Sequence, residues 1–205
     1  KPKKGAEILY VEGENDNKVL LNTNTFPYVS LYLSSENSIL LSGGHHYIKE
    51  AGFGKISKIL NFDIEKFQDN FLKKIKYEGI FNWNDKKCHK IRIEYGDYQT
   101  INYYAKNGET LFEICENKLI NIAKIKELNP GLDISKKLLD NQEIKITNHY
   151  FKMLVLYIDL ENYFPIYQLV YDEKGLYEKY IYTKLVLNKL IKNEEFNRDY
   201  KDYNF

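Results

Sequence analysis

The chain has 205 residues, with 30 Lys and Arg against 29 Asp and Glu and a net charge of +1 at pH 7. With 43% hydrophobic and 29% charged residues it can bury one large core or two small ones, and a near-zero charge without a Lys/Arg stripe argues against a nucleic-acid partner. No run of about eighteen apolar residues is present to cross a membrane.

The opening Lys1-Pro2-Lys3-Lys4 has no Met and is compatible with an export signal removed or left outside the numbering. Residues 7 to 12 and 18 to 21 flank Gly13-Glu14-Asn15-Asp16-Asn17, which turn readily, and so predict a hairpin. Residues 28 to 33 and 38 to 42 repeat the theme around Ser34-Ser35-Glu36-Asn37. Beyond Gly43-Gly44 a helical stretch is expected over roughly 50 to 70, where Phe53, Ile56, Ile59 and Leu60 keep helical spacing. Asp63 can cap a second piece carrying Ile64, Phe67 and Phe71. Residues 74 to 81 and 88 to 95 read as strands around Asn82-Trp83-Asn84-Asp85.

The stretch from Tyr103 to Ile146 has a different rhythm. A short strand meets a turn at Lys106-Asn107-Gly108, and Thr110 can cap a helix with Leu111, Ile114 and Cys115 on one face. A second helix carries Ile122, Ile125 and Leu128 and stops at Asn129-Pro130-Gly131, because proline disfavours helix in the residue before it. A closing strand completes a β-α-α-β unit. Strands then resume over 151 to 160, 166 to 171 and 176 to 187, joined by Glu161-Asn162-Tyr163-Phe164-Pro165 and Asp172-Glu173-Lys174-Gly175. In the last, Ile181, Leu185 and Leu187 take one side and Tyr180, Tyr182 and Val186 the other, which predicts a strand covered on both faces.

The β-α-α-β pattern resembles the lysin motif (LysM) domain, a bacterial module that binds N-acetylglucosamine glycans such as peptidoglycan and chitin. The resemblance rests on Lys106-Asn107-Gly108-Glu109-Thr110-Leu111, Leu128-Asn129-Pro130-Gly131-Leu132 and the approach Asp140-Asn141-Gln142 to the strand Glu143-Ile144-Lys145-Ile146. Two positions depart from the family pattern: Cys115 stands where a small residue is usual, and Asp140-Asn141 replaces x-Gly, a place where Asn tolerates left-handed backbone. The resemblance implies a shallow sugar groove, formed on one side by Gly108, Glu109, Thr110 and Leu111. Its other side would be Asn129, Pro130, Gly131, Leu132 and Asp133. Backbone groups of the turns would meet the N-acetyl group, with Leu111, Pro130 and Leu132 over its methyl. Seven Lys and seven acidic residues between Tyr103 and Ile146 leave no strong field for a charged ligand.

The flanking segments carry a second resemblance. Glu7 to Gly13, Gly43 to Ile48, Glu50 to Gly54 and Glu178 to Phe205 look like an uncharacterised bacterial domain family, similar in outline to the periplasmic lipoprotein carriers. The fold it implies is α+β: an open, curved antiparallel sheet (a LolA-like half-barrel) packed on a helix. Residues 1–99 and 148–205 would form that discontinuous domain, with residues 100–147 inserted as the LysM-like one, since its strand termini are neighbours. A wall-glycan reader implies a periplasmic or cell-envelope location.

Catalytic and metal chemistry have few candidates. His45-His46 and Cys88-His89 are the only clusters of metal-type ligands, and His149 stands alone. Adjacent strand histidines point to opposite faces, and no Cys-x-x-Cys or His-x-x-x-His spacing occurs, so neither a metal nor a cofactor is expected. Cys88 and Cys115 read as free buried thiols. Asp159/Glu161 and Asp172/Glu173 fall at predicted turns and read as solvated loop carboxylates, whereas glycosidase chemistry needs two carboxylates held across a cleft. With no G-x-S-x-G, P-loop or dinucleotide fingerprint, the chain reads as a non-enzymatic envelope protein whose partner is peptidoglycan or a related glycan. The alternative is a periplasmic carrier that holds a lipid or lipoprotein acyl chain in the sheet's concavity.

Overall fold

The structure, a computed structural model, describes residues 5 to 41 and 44 to 205; Lys1 to Lys4 and Gly43 of the expected Gly-Gly break lie outside these. Strands β1 (Glu7–Leu9) and β2 (Lys18–Asn22) form the expected antiparallel hairpin, turned by the left-handed run Asn15-Asp16-Asn17. β3 (Ser30–Ser34) pairs with the other edge of β2 and, among the described residues, makes no hairpin with residues 38 to 41; Ser42 of the expected strand lies outside them. Instead the Asn37 carboxamide accepts the Ile39 N–H and starts a 3-10 turn over Ser38–Leu41.

Helix α1 (Gly54–Phe67) runs unbroken through Asp63, which caps nothing: it is buried mid-helix and accepts a hydrogen bond from the Tyr95 hydroxyl. The break falls at Gln68, in left-handed backbone (φ 46°), before the short α2 (Asp69–Leu72). β4 (Ile75–Trp83) and β5 (Lys86–Glu94) close through Asn84 and Asp85, both left-handed as a tight hairpin turn demands. β6 (Thr100–Tyr104), α3 (Leu111–Lys118), α4 (Ile122–Leu128) and β7 (Glu143–Thr147) form the β-α-α-β unit, with β6 antiparallel to β7. β8 (Met153–Asp159), β9 (Pro165–Tyr171) and β10 (Leu176–Ile181) follow.

The architecture is α+β with open antiparallel sheets: β1-β2-β3, the five-stranded β10-β9-β8-β5-β4, and β6-β7. Strands β5 and β8 lie side by side, Glu94 opposite Met153, so the small unit spans two neighbouring strands of the large sheet. Two expectations are corrected. The flanking strands make two sheets rather than one, and the last strand stops at Ile181, leaving Val186, Leu187 and Leu190 exposed.

Helices α1 and α2 cover one face of the large sheet, where Ile59 and Phe71 pack with Ile93, Leu154, Leu156 and Val170. The small unit has its own core of Leu111, Ile114, Ile125, Leu138 and Ile144. Each such side chain contributes about 1.5–3 kcal/mol on burial. The two cores exchange residues. Leu119, left-handed at the α3 C-cap (φ 49°), is buried in the sheet core, while Leu41 and Tyr47 belong to the small unit's core.

Candidate functional site

Each side chain around the β6–α3 turn is held by a local bond. Thr110 Oγ1 accepts the Glu113 N–H at 3.2 Å, and Glu113 reaches back to the Thr110 N–H at 2.8 Å, a reciprocal cap that fixes the start of α3. Both Glu109 carboxylate oxygens accept from the Tyr103 hydroxyl (3.0 and 2.9 Å), and one also accepts the Lys106 N–H. The Gly108 N–H donates to Leu138 O and the Leu138 N–H to Glu109 O, sewing this turn to the approach of β7. Leu111 has no exposed surface at all; its side chain is core, so it cannot cover a ligand's methyl.

The α4–β7 loop is stapled in the same way. The Asn129 carboxamide donates to Ile125 O and Lys145 O, both at 2.7 Å, and accepts the Lys145 N–H at 2.8 Å. Asp133 accepts from the Ser135 hydroxyl and N–H. Pro130 and Gly131 are exposed, and Leu132 is half-buried at the edge of the core that contains Leu111. Gly131 sits at φ 87°, with open space where a Cβ would stand. Of the nine residues, Glu109, Thr110, Asn129 and Asp133 are thus occupied by the turns themselves. Pro130 and Gly131 stand exposed between them, and the outer part of Leu132 is accessible.

The small unit is docked firmly against the large sheet. Lys124, on α4 and almost wholly buried, donates to Asp172 at 2.7 Å and Glu173 at 2.8 Å in the β9–β10 turn. Burial works against its charge, and these two hydrogen bonds outweigh it, so its pKa is raised. Glu116 of α3 accepts from Lys55 and Lys58 of α1, both at 2.8 Å. Asp172 and Asp159 are therefore not solvated loop carboxylates. Each is buried and organises its own turn, Asp172 through the Lys174 and Gly175 N–H groups and Asp159 through Glu161 N–H, Asn162 and Lys86.

Sequence reasoning missed a second site. His45 and His46 lie on an irregular segment, not a strand, and both reach the same oxygen, Glu178 Oε1, at 3.3 and 3.1 Å. His46 Nδ1 is also 3.1 Å from Glu50 Oε2, and Lys55 lies 2.6 Å from Glu50 Oε1. Burial opposes the imidazolium, but hydrogen bonds to Glu178 and Glu50 prevail and lift the His46 pKa to about 9. Burial likewise opposes the charge on Glu50 and Glu178, and their hydrogen-bonded partners bring both down to about 2. Neither carboxyl is a proton donor at neutral pH. This cluster lines part of a cavity of about 280 Å³ between α1 and strands β9 and β10. The signal was in the alternation. Gln168 and Glu178 occupy the helix-facing positions of β9 and β10 and are buried, on a face where only apolar residues would be expected.

Other candidates are structural. His149 stacks on Tyr95 with ring centroids 4.0 Å apart and bonds Asp97, and burial lowers its pKa. Cys88 and Cys115 are free and buried, and burial pushes the Cys115 thiol up to about 12. Among the described residues no group of His, Cys, Asp or Glu is arranged to hold a metal ion, and no helix is long and apolar enough to cross a membrane.

Residues 103–147 match the family model of the LysM domain. Neither the curated proteins nor the solved structures give a significant match to the chain.

Proposed function

We propose that residues 100–147 are a glycan-binding domain inserted into a host formed by residues 1–99 and 148–205, and that they hold this chain on peptidoglycan or a related N-acetylglucosamine glycan. The match of residues 103–147 to the LysM family carries this reading, since LysM domains bind such glycans and are binding modules rather than catalysts. The loop geometry supports it. With the side chains of Glu109, Thr110, Asn129 and Asp133 held in their turns, the face offers rigid backbone groups beside Pro130 and Leu132, which suits a neutral amide-bearing sugar. A cell-envelope location follows from the ligand.

The lipoprotein-carrier reading of the flanking segments finds no support in the comparisons, and the separate β1-β2-β3 sheet departs from a single half-barrel. The glycan reading is tested by titrating the full chain with soluble N-acetylglucosamine tetramer and following backbone amide shifts. Saturable shifts at Gly108 and Gly131 are expected; a folded chain showing none at either contradicts it.

A further inference from the structure

The cavity beneath α1 is built in two parts. Its walls are Ile56, Ile59 and Val170 with the rings of Tyr150, Tyr180 and Tyr182. Tyr182 is held by Phe53, whose ring centroid lies 4.5 Å away, and Phe53 in turn packs on Phe164 at 4.8 Å. One part is polar: His46, Glu50, Lys55 and Glu178, with the Gln168 carboxamide beside them. About 280 Å³ is at the small end of ligand pockets, room for one ring rather than an extended chain.

The charges select the ligand class. Two cations face two carboxylates and are already paired with them, so neither a cation nor an anion gains a net field. An apolar ligand would use the isoleucine, valine and tyrosine walls and leave the polar groups without a partner in the ligand. What fits both parts is a neutral molecule with a C–H face for the tyrosine rings and several hydroxyls. Those hydroxyls would donate charge-assisted hydrogen bonds to the carboxylate oxygens of Glu50 and Glu178, which can accept beside their present partners.

We propose that this cavity binds a single neutral hexopyranose, separately from the exposed face of the β6–β7 unit. The reading does not depend on glycan binding by that unit. The two sites are nevertheless joined through Asn121, which belongs to the small unit and donates to Glu178 and to the Tyr150 hydroxyl in the lining of the pocket.

The test is a titration of the full chain, with isotope-labelled Ile and Val methyls, by N-acetylglucosamine, glucose, choline and hexanoate in turn. The expected result is saturable shifts of the Ile56, Ile59 and Val170 methyls with at least one of the sugars and with neither choline nor hexanoate. Ala51→Trp, at an exposed position of the lining, should weaken the response at least tenfold with no change in melting temperature. Gly131→Asn, on the other face, should leave it unchanged. Silence toward both sugars, a response to choline or hexanoate, or an unaltered titration in Ala51→Trp would overturn the proposal. None of these outcomes alters the response expected at Gly108 and Gly131.

Discussion

Asn121 Nδ2 donates to Glu178 Oε1 at 2.7 Å, tying the small unit to the edge strand of the large sheet. The same side chain caps α4, its Oδ1 accepting the Lys124 N–H at 3.1 Å. Asn121→Ala therefore loses a cap, about 1 kcal/mol, and strips a buried carboxylate of a donor, about 1–3 kcal/mol more. Asn121→Asp keeps the cap but sets a second carboxylate against Glu178. Chemical denaturation should show both variants destabilised at pH 7; an Asp variant as stable as the parent would mean the contact across the two units contributes nothing.

Lys124 and Asp172 form another tie, both almost wholly buried. Lys124→Met retains most of the apolar stem and leaves Asp172 charged and unpaired, so a loss of about 3 kcal/mol is expected. Asp172→Asn added to Lys124→Met should recover part of it, since the amide oxygen can still accept the Lys174 and Gly175 N–H groups. The folding free energies of the two variants check this. No recovery would place the cost in lost packing rather than in the stranded charge.

The His46 cluster makes stability pH-dependent with a defined sign. His46 titrates near 9 in the folded chain against about 6.5 unfolded, so its contribution is complete below pH 6.5 and lost as pH rises toward 9. At about 1.4 kcal/mol per unit this is at most roughly 3 kcal/mol, shared with Glu50 and Glu178. Those carboxylates, brought down to about 2, contribute above pH 4.5 and lose it as pH falls toward 2. The cluster's contribution to the unfolding free energy should thus be greatest between pH 4.5 and 6.5 and decline on both sides. His46→Gln should flatten the alkaline limb; an unchanged limb would exclude His46 as its source.

Gly131 is the point at which the exposed face can be altered without touching the core. A side chain there meets no neighbour, and the only cost is left-handed backbone, which Asn tolerates best. Gly131→Asn should keep the melting temperature within about 3 °C and reduce affinity for soluble N-acetylglucosamine tetramer at least tenfold. Unchanged affinity would move the sugar contacts away from this loop.

Local chemistry made much of the fold legible in the sequence. Thr110 caps α3 and Asn129-Pro130-Gly131 ends α4 where the pattern placed them, while the turn expected over Asn82-Trp83-Asn84-Asp85 narrows to Asn84-Asp85 because Asn82 and Trp83 stay in β4. Errors came where partners are distant in sequence. Residues 38 to 42 have strand-like composition, but β2 was already paired on both edges and Asn37 turned the chain. Asp63 has the chemistry of a cap, yet Tyr95 satisfies it inside the helix. At the site, the bonds that hold Glu109 to Tyr103 and Asn129 to Lys145 have no signal in the local sequence. His45 and His46 do not adopt the strand geometry expected of them, and Glu178, which unites them, lies more than a hundred residues away.

Glycan capture by the exposed face of the β6–β7 unit is most directly tested by sedimentation of the full chain with insoluble peptidoglycan, beside Gly131→Asn. Deleting the whole unit is unsuitable, because Leu41 and Tyr47 would lose their core, Asp172 would lose Lys124 and Glu178 would lose Asn121. The prediction is that the parent chain sediments with the polymer while Gly131→Asn, equally folded, stays in the supernatant. A folded parent that remains in solution, or a variant that sediments as well as the parent, would contradict it.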